Sequence, residues 1–434
     1  MLSLRAFARP VFTSQGGARS QHALLADGLL ASASDAVLPF LPLYLVLLGA
    51  TATEVGLLSI AGGLAGLLAL FPGAWLAQRT RSLKAVVLLG GGGVARVGLL
   101  GLAAIPFIFD GQRAVIAILV IASVRALVSM LAHASWVSVF ASVVPADARA
   151  KYTARRSLVI SVTAMAAVPL MGVLVSRYGG MSGYQVAFLV AAVLGFLSTA
   201  CYGAIEEPKD REPAMESGGY RSMLEDGAFS RYLLATGVLH TSSMIVAPFM
   251  IVYLSRDLGA SPALIGGLTT AEAVAAVGGQ AVVGALVSRF GSRRIFIWSM
   301  ALMPLIPVLW LGITAPWQAV VPYTLTGIAW SLCNLAAFDL LLRAAPRAEL
   351  GRYAAAQQAM VLLAGFLGPV LGTAIMNVWG IPALVLVSAL GRGFAVLTFV
   401  APAAVPATVL RPMRPLLRHA RRFGFLDLPA DAGR

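Results

Sequence analysis

Nine ionisable side chains stand within long apolar stretches of this sequence: Asp27, Asp35, Arg96, Arg125, His133, His240, Glu272, Asp339 and Arg392. Charges are costly in apolar surroundings, so such groups are functional candidates by default. Asp35 lies midway along the first stretch, and Glu272 lies near the middle of the eighth. A carboxyl group that exchanges its proton as its surroundings change is what proton coupling requires. We therefore interpret Asp35 and Glu272 as proton-coupling residues, with a permanent salt bridge as the alternative for Asp35.

A second group of polar and aromatic side chains follows helical spacing in two parts of the chain. In the first part, successive members are four, four and three positions apart, which places them near one helix face. In the second, two members recur at matching positions 201 residues later, and a histidine is added from a hydroxyl-rich segment. Two related stripes predict a substrate-binding cavity, with hydrogen bonding between helices as the alternative. The residues are Arg125, Ser129, His133, Trp136, His240, Trp330 and Asn334.

The composition defines the elements that must position these residues. The chain has 434 residues, of which 59% are hydrophobic and only 12% are charged, against roughly 25% charged in an average soluble domain. The mean hydropathy is +0.86. These values predict an integral membrane protein and exclude soluble enzymes, nucleic-acid binders and secreted disulfide scaffolds. Cys201 and Cys333 both lie in apolar segments, so no disulfide framework is expected.

Twelve apolar runs are long enough to cross a bilayer as helices, which needs about 20 residues each. They cover roughly 23–49, 54–77, 85–107, 114–143, 157–176, 182–203, 232–254, 262–287, 295–312, 316–342, 353–376 and 381–402. Of the 32 Lys and Arg residues, 26 fall on the side that holds both termini, and three fall on the opposite side. The positive-inside rule therefore predicts that both termini are cytoplasmic.

The chain contains an internal repeat. Pro39-Phe40 recurs as Pro248-Phe249, and Leu48-Gly49-Ala50 recurs as Leu258-Gly259-Ala260, at offsets of 209 and 210 residues. Parallel repeats of six spans are one arrangement of secondary transporters. We expect an N-terminal tail (1–22), a first half (23–203), a linker (204–231), a second half (232–402) and a basic C-terminal tail (403–434), with the linker and tails cytoplasmic.

The loops after the second and eighth spans resemble those of the major facilitator superfamily, whose pattern there is Gly-x-Leu-x-Asp-Arg-x-Gly-x-Arg-Arg. The second copy matches from Gly284 to Arg294 except at the acid, which is Ser288. The first copy is more degenerate, and Gln78 stands where the acid would be. In the family this acid helps to latch the cytoplasmic face, so both copies lack part of that latch. The gating candidates are Arg79, Gly284, Arg289, Gly291 and Arg293.

The resemblance also implies where the spans lie. It places the first, fourth, seventh and tenth spans around a cavity, with Asp35 as the expected partner of Arg125. It places Arg96 and Arg392 at the periphery, where packing would explain them. A Gly-Pro pattern in the eleventh span, Gly365–Gly372, is similar to one that the superfamily's antiporters carry in the fifth, although close packing of helices explains it equally.

The sequence thus predicts an all-α membrane protein of twelve transmembrane helices in two six-helix halves. Its expected function is proton-coupled transport of a small organic solute by alternating access, with export favoured over uptake. The alternatives are proton-coupled uptake of a nutrient or organic anion, and a non-transporting receptor or lipid-handling scaffold. No cofactor, metal site, phosphate loop or nucleophile triad is indicated, and no nucleic-acid partner is expected. We expect a monomer among membrane lipids, in a bacterial inner membrane.

Overall fold

The computed structural model describes residues 15–144, 146–206, 226–344 and 350–400. The predicted linker and both tails lie largely or wholly outside this range. Eleven of the described helical segments are long and apolar enough to cross a membrane. The helices are Gln15–Asp35, Leu41–Leu47, Ala52–Arg79, Leu83–Val87, Ala95–Ile108, Gly111–Val143, Ala146–Tyr178, Gly180–Gly203, Gly227–Arg256, Pro262–Phe290, Ser292–Leu302, Leu305–Leu309, Val320–Ala344 and Leu350–Val400.

The last helix holds the eleventh and twelfth predicted spans. Its 51 residues correspond to about 77 Å at 1.5 Å per residue, more than twice the thickness of a hydrocarbon core. Gly380 interrupts it with φ 72° and ψ −168°, outside the helical region. Only glycine adopts such a conformation readily, and it falls between the two predicted spans, 353–376 and 381–402.

Two spans near the proposed site are irregular. The first predicted span is a helix to Asp35, a 3₁₀ turn at Leu38–Phe40 and a short helix at Leu41–Leu47. In the third, a π-helix at Leu88–Val94 separates two α-helical parts and contains the glycine run Gly90–Gly93. π-Helical turns inside α-helices occur frequently at functional sites.

The internal repeat reappears in local geometry. Gly49 and Gly259, which match in the repeat, both adopt positive φ, at 88° and 67°. Each follows the end of a helix, where a residue with a Cβ atom is strained in this left-handed backbone conformation. The following spans begin with hydroxyl N-caps at matching positions: Thr51 accepts a hydrogen bond from the Glu54 amide, and Ser261 accepts one from the Leu264 amide.

The buried apolar side chains form three clusters that divide along the length of the bundle. We call the end marked by Gly203 and Gly227 the linker end, and the opposite end, marked by Gly49 and Gly259, the far end. One large cluster contains residues of both halves, among them Phe40 and Phe249. The other two lie towards the linker end, and each draws on one half alone. The halves therefore share a core at the far end and have separate cores at the linker end.

Two helix pairs form most of the contacts between the halves: the second span packs on the eleventh, and the fifth packs on the eighth, while the seventh span also touches the first and second. A Cβ atom at Gly63 would clash with the backbone of Gly365, so the second and eleventh spans cross with their backbones in contact. At the far end, the Thr53 hydroxyl donates to the Asn377 side-chain oxygen at 2.8 Å. Arg256 donates to the carbonyl oxygen of Ala50.

Candidate functional site

A cavity of about 280 Å³ opens among the first, third, fourth, fifth and sixth spans. Every residue that lines it belongs to the first half. It extends between two aspartates of the first span, Asp27 and Asp35, which are eight residues apart and thus separated by about 12 Å along a helix. Its polar and aromatic lining is Asp27, Asp35, Arg96, Arg125, Ser129, His133, Trp136, Arg156, Ser198, Thr199 and Tyr202.

Asp35 is the centre of the ionic contacts at the end of the cavity that is nearer the far end of the bundle. Its Oδ1 atom accepts hydrogen bonds from Arg125 Nη2 at 2.7 Å and from Arg96 Nη1 at 3.0 Å. The two arginine side chains are 14% and 11% exposed, whereas that of Asp35 is 44% exposed towards the cavity. The Arg96 Nη1 atom also donates to the Ser34 hydroxyl at 3.2 Å. The sequence prediction that Asp35 partners Arg125 agrees with this geometry, and Arg96 is an additional partner.

The fourth span supplies one wall of the cavity, because the helix Gly111–Val143 is continuous and its four predicted residues fall on one face. Arg125, Ser129, His133 and Trp136 all line the cavity. The rings of His133 and Trp136 stack with centroids 5.9 Å apart and planes inclined by 13°. The guanidinium of Arg156 also lies 4.8 Å from the centroid of the Trp136 ring, within the range of a cation–π contact.

Asp27 lies in the part of the cavity that is nearer the linker end. Asp27 is buried and accepts a hydrogen bond from the Ser198 hydroxyl at 2.6 Å. Asp27 and Arg156 interact electrostatically, but their side chains form no salt bridge. The Nε atoms of Arg96, Arg125 and Arg156 are buried without a hydrogen-bond partner.

Sequence analysis did not include Arg96 and Arg156 in the binding site. Arg96 was expected at the periphery, but the third span turns it inwards just after the π-helix. It packs over Gly195 of the sixth span, where a Cβ atom would come within 3.0 Å of the Arg96 Nε atom. The number of charges could have indicated these arginines. The first half has two intramembrane acids, and Arg125 can form a salt bridge with only one of them, so a second cation was to be expected near the other.

The predicted second-half residues lie elsewhere and do not line this cavity. The rings of His240 and Trp330 contact each other with centroids 4.8 Å apart, and His240 Nδ1 is 2.8 Å from the Thr236 carbonyl oxygen. Asn334 is exposed. Glu272 is half-buried, and a Cβ atom at Gly327 of the tenth span would clash with its carbonyl oxygen. The two predicted stripes therefore do not line a common cavity in this conformer.

The gating candidates lie at the linker end. Arg79 is exposed and packs over Trp75 at 4.9 Å, and Arg289 packs over Phe290 at 5.2 Å. Arg293 is exposed. Gly291 adopts φ 82° between two helices, which explains the glycine there, whereas a Cβ atom at Gly284 would meet open space. Within the described parts of the chain, none of these arginines forms a salt bridge.

Within the described ranges, no group of three or more His, Cys, Asp or Glu side chains could hold a metal ion. The ionic lining of the cavity and its position inside a helical bundle instead suit a site that binds a solute. Ionisable groups that face a cavity within a membrane bundle commonly mark a substrate or ion pathway. The fold and the site together define a membrane transport protein.

Residues 29–383 match the profile of the MFS_1 like family, and the chain belongs to that family. This confirms the resemblance to the major facilitator superfamily and places the protein among transporters rather than enzymes. No curated protein matches the chain in sequence.

Solved structures of transporters share the fold at low sequence identity. A mutant of the nucleoside transporter NupG has a TM-score of 0.66 and 13% identity, over 87% of this chain and 98% of its own. A bacterial homologue of the iron transporter ferroportin in an inward-facing state has 0.66 and 16%, over 88% and 98%. A POT family transporter in complex with 5-aminolevulinic acid has 0.68 and 13%, over 88% and 96%.

Proposed function

We propose that this protein is a secondary transporter that moves a small organic solute across a membrane by alternating access. The observation that carries the proposal is the division of the buried core. The halves share an apolar core at the far end and have separate cores at the linker end. A charged cavity lies between Asp35 and the linker end. A site that is closed at one end and open at the other is one state of a rocking transporter.

The proposed topology is twelve spans in two six-span halves, with the eleventh and twelfth divided at Gly380. The excess of Lys and Arg on the linker side supports cytoplasmic termini. In that orientation the described conformer is open to the cytoplasm. We further propose that the protein acts as a monomer, and that its membrane is a bacterial inner membrane.

We propose Glu272 and Asp35 as the proton-coupling residues, with different roles. Two arginines contact Asp35, so we propose that these contacts break before Asp35 takes part in coupling. Glu272 has no ion pair among the described residues, and its half-buried carboxyl group is the simpler proton carrier. Arg125, Ser129, His133 and Trp136 would bind solute in this conformer. His240, Trp330 and Asn334 would reach it only if the second half moved towards the cavity.

The direction of transport was predicted from the Gly-Pro pattern of the eleventh span. In the structure, Gly368 and Gly372 pack closely on Met244 and Ile245 of the seventh span, within the same half. Close packing therefore accounts for these glycines, and export rests on the resemblance alone. Uptake of an organic anion is the second candidate, because three arginines line the cavity.

The test is a thermal-shift screen of the purified protein with metabolite and drug libraries at acidic and alkaline pH. A solute that binds the folded state raises its apparent stability. Each hit is then used in a counterflow assay with proteoliposomes that carry the protein. We expect exchange of the hit in wild type, with its pH dependence lost in Glu272→Gln or Asp35→Asn. If exchange remains dependent on pH in both variants, the coupling assignment is contradicted. If no hit is ever exchanged, the proposal of transport is contradicted.

A further inference from the structure

The cavity carries more positive than negative charge. Three arginines and two aspartates line it, so one positive charge remains when all five are ionised. An uncompensated charge within a membrane bundle is costly unless water or a ligand compensates it. The contacts of the three arginines show which one is available to bind a solute and which chemical class of solute it would bind.

Contacts identify Arg156 as the arginine of the cavity whose N–H groups are not engaged by a described residue. Arg96 and Arg125 both donate to Asp35, and Ser198 donates to Asp27. Arg156 has neither a salt bridge nor a hydrogen bond among the described residues, and its Nε atom is buried. The charge of Asp27 and the hydroxyl groups of Tyr152 and Tyr202 act on Arg156 electrostatically.

The surroundings of Arg156 are built to hold its side chain in one place. Its guanidinium lies on the face of Trp136 at 4.8 Å. The Arg156 side chain also packs against Gly28 of the first span. A Cβ atom at Gly28 would come within 3.0 Å of the Arg156 Nε atom, so glycine leaves space for the arginine. A planar guanidinium held in this way presents its remaining N–H groups as a fork that matches a carboxylate.

We propose that the solute is a small organic anion, and that its carboxylate binds Arg156 beside the indole of Trp136. This inference rests on the proposed transport function and names the class of solute for the same cavity. The body of the solute would lie along Trp136 and His133 towards Arg125. The cavity volume of about 280 Å³ is at the lower end for ligand sites, which suits a small metabolite.

The test compares carboxylates with neutral analogues of the same shape. The full chain in nanodiscs is heated with benzoate, phenylacetate, pyruvate or succinate, and with the corresponding amides. We expect at least one carboxylate to raise the melting temperature in a saturable way, and its amide to have no such effect. Arg156→Gln should weaken carboxylate binding by about tenfold or more, because a charged hydrogen bond is lost.

Arg177→Gln is the matched control, since Arg177 is exposed on the same helix and outside the cavity. It removes the same charge and should leave carboxylate binding unchanged. If Arg156→Gln does not fold, Arg156→Lys must still weaken binding, because the fork is lost while the charge remains.

Three results would overturn the inference: equal binding of carboxylates and amides, unchanged carboxylate binding in a folded Arg156 variant, or no response to any anion. Counterflow separates this failure from that of the proposed function. Exchange of neutral solutes without preference for carboxylates would leave transport standing and remove the anion site. Carboxylate binding without any exchange would leave the anion site standing and contradict the transport function.

Discussion

Asp35 is the residue on which the cavity depends at the end nearer the far end of the bundle, because one of its oxygen atoms accepts from two arginines on different spans. Asp35→Asn would leave both guanidinium groups without a counter-charge. We expect the free energy of unfolding to fall by about 1–3 kcal/mol, less than for a fully buried pair because Asp35 is partly exposed. Thermal unfolding in detergent measures the change.

The control for that change is Asp110→Asn, an exposed aspartate before the fourth span that forms no salt bridge in the described residues. It should melt as the wild type does. An Asp35→Asn protein that also melts like the wild type would show that the Arg96–Asp35–Arg125 contacts do not stabilise this fold.

At this scale the sequence predicted part of the site. Helical spacing was sufficient for Arg125, Ser129, His133 and Trp136, because a continuous helix has a fixed periodicity. The peripheral position that the resemblance implied for Arg96 was wrong, because Arg96 follows the π-helix at Leu88–Val94 and lines the cavity. Arg156 follows Arg155 at the start of the fifth predicted span, where the sequence allowed either attraction of an anionic ligand or a positive charge that only fixes topology.

Among the elements, the crossing of the second and eleventh spans decides how closely the halves approach. Gly63→Ala would press a methyl group against the Gly365 backbone, while Gly62→Ala would place one in open space. We expect Gly63→Ala to destabilise the protein by about 1–3 kcal/mol, as overpacking does, and Gly62→Ala to have little effect. Melting temperatures of the two variants check this, and equal values would contradict the observed contact.

The sequence predicted membrane-spanning helices because each apolar run must cover the hydrocarbon thickness, and eleven of the described helical segments are long and apolar enough to do so. Of the neighbouring glycines in the second span, Gly63 makes the backbone contact with the eleventh span, Gly66 packs on Leu362 there, and Gly62 faces open space. Spacing within one helix cannot reveal the direction from which its partner approaches. The same is true of the inner breaks, such as the π-helix, which average hydropathy does not detect.

For the whole molecule, the repeat and the family resemblance predicted the class of protein, and residues 29–383 confirm it. They did not predict the conformer. Two stripes expected to share one cavity lie apart, since the second-half residues His240, Trp330 and Asn334 do not line it. A transporter has at least two packings of one sequence, and a sequence pattern describes the contacts of both together.

The proposed transport function requires that access to the cavity alternates between the two sides of the membrane. Ser129 lines the cavity, while Thr53 and Asn377 meet across the halves at the far end. The most direct measurement introduces cysteines at these three positions, with Cys201 and Cys333 replaced by serine. A short crosslinker then joins positions 53 and 377, and a membrane-impermeant maleimide is applied from either side to label position 129.

We expect labelling from the linker side in both states. Labelling from the far side should occur in the uncrosslinked protein and disappear once the crosslink holds the far end closed. Labelling from one side only, whether or not the crosslink is present, would contradict alternating access and would instead fit a receptor or scaffold with a fixed cavity.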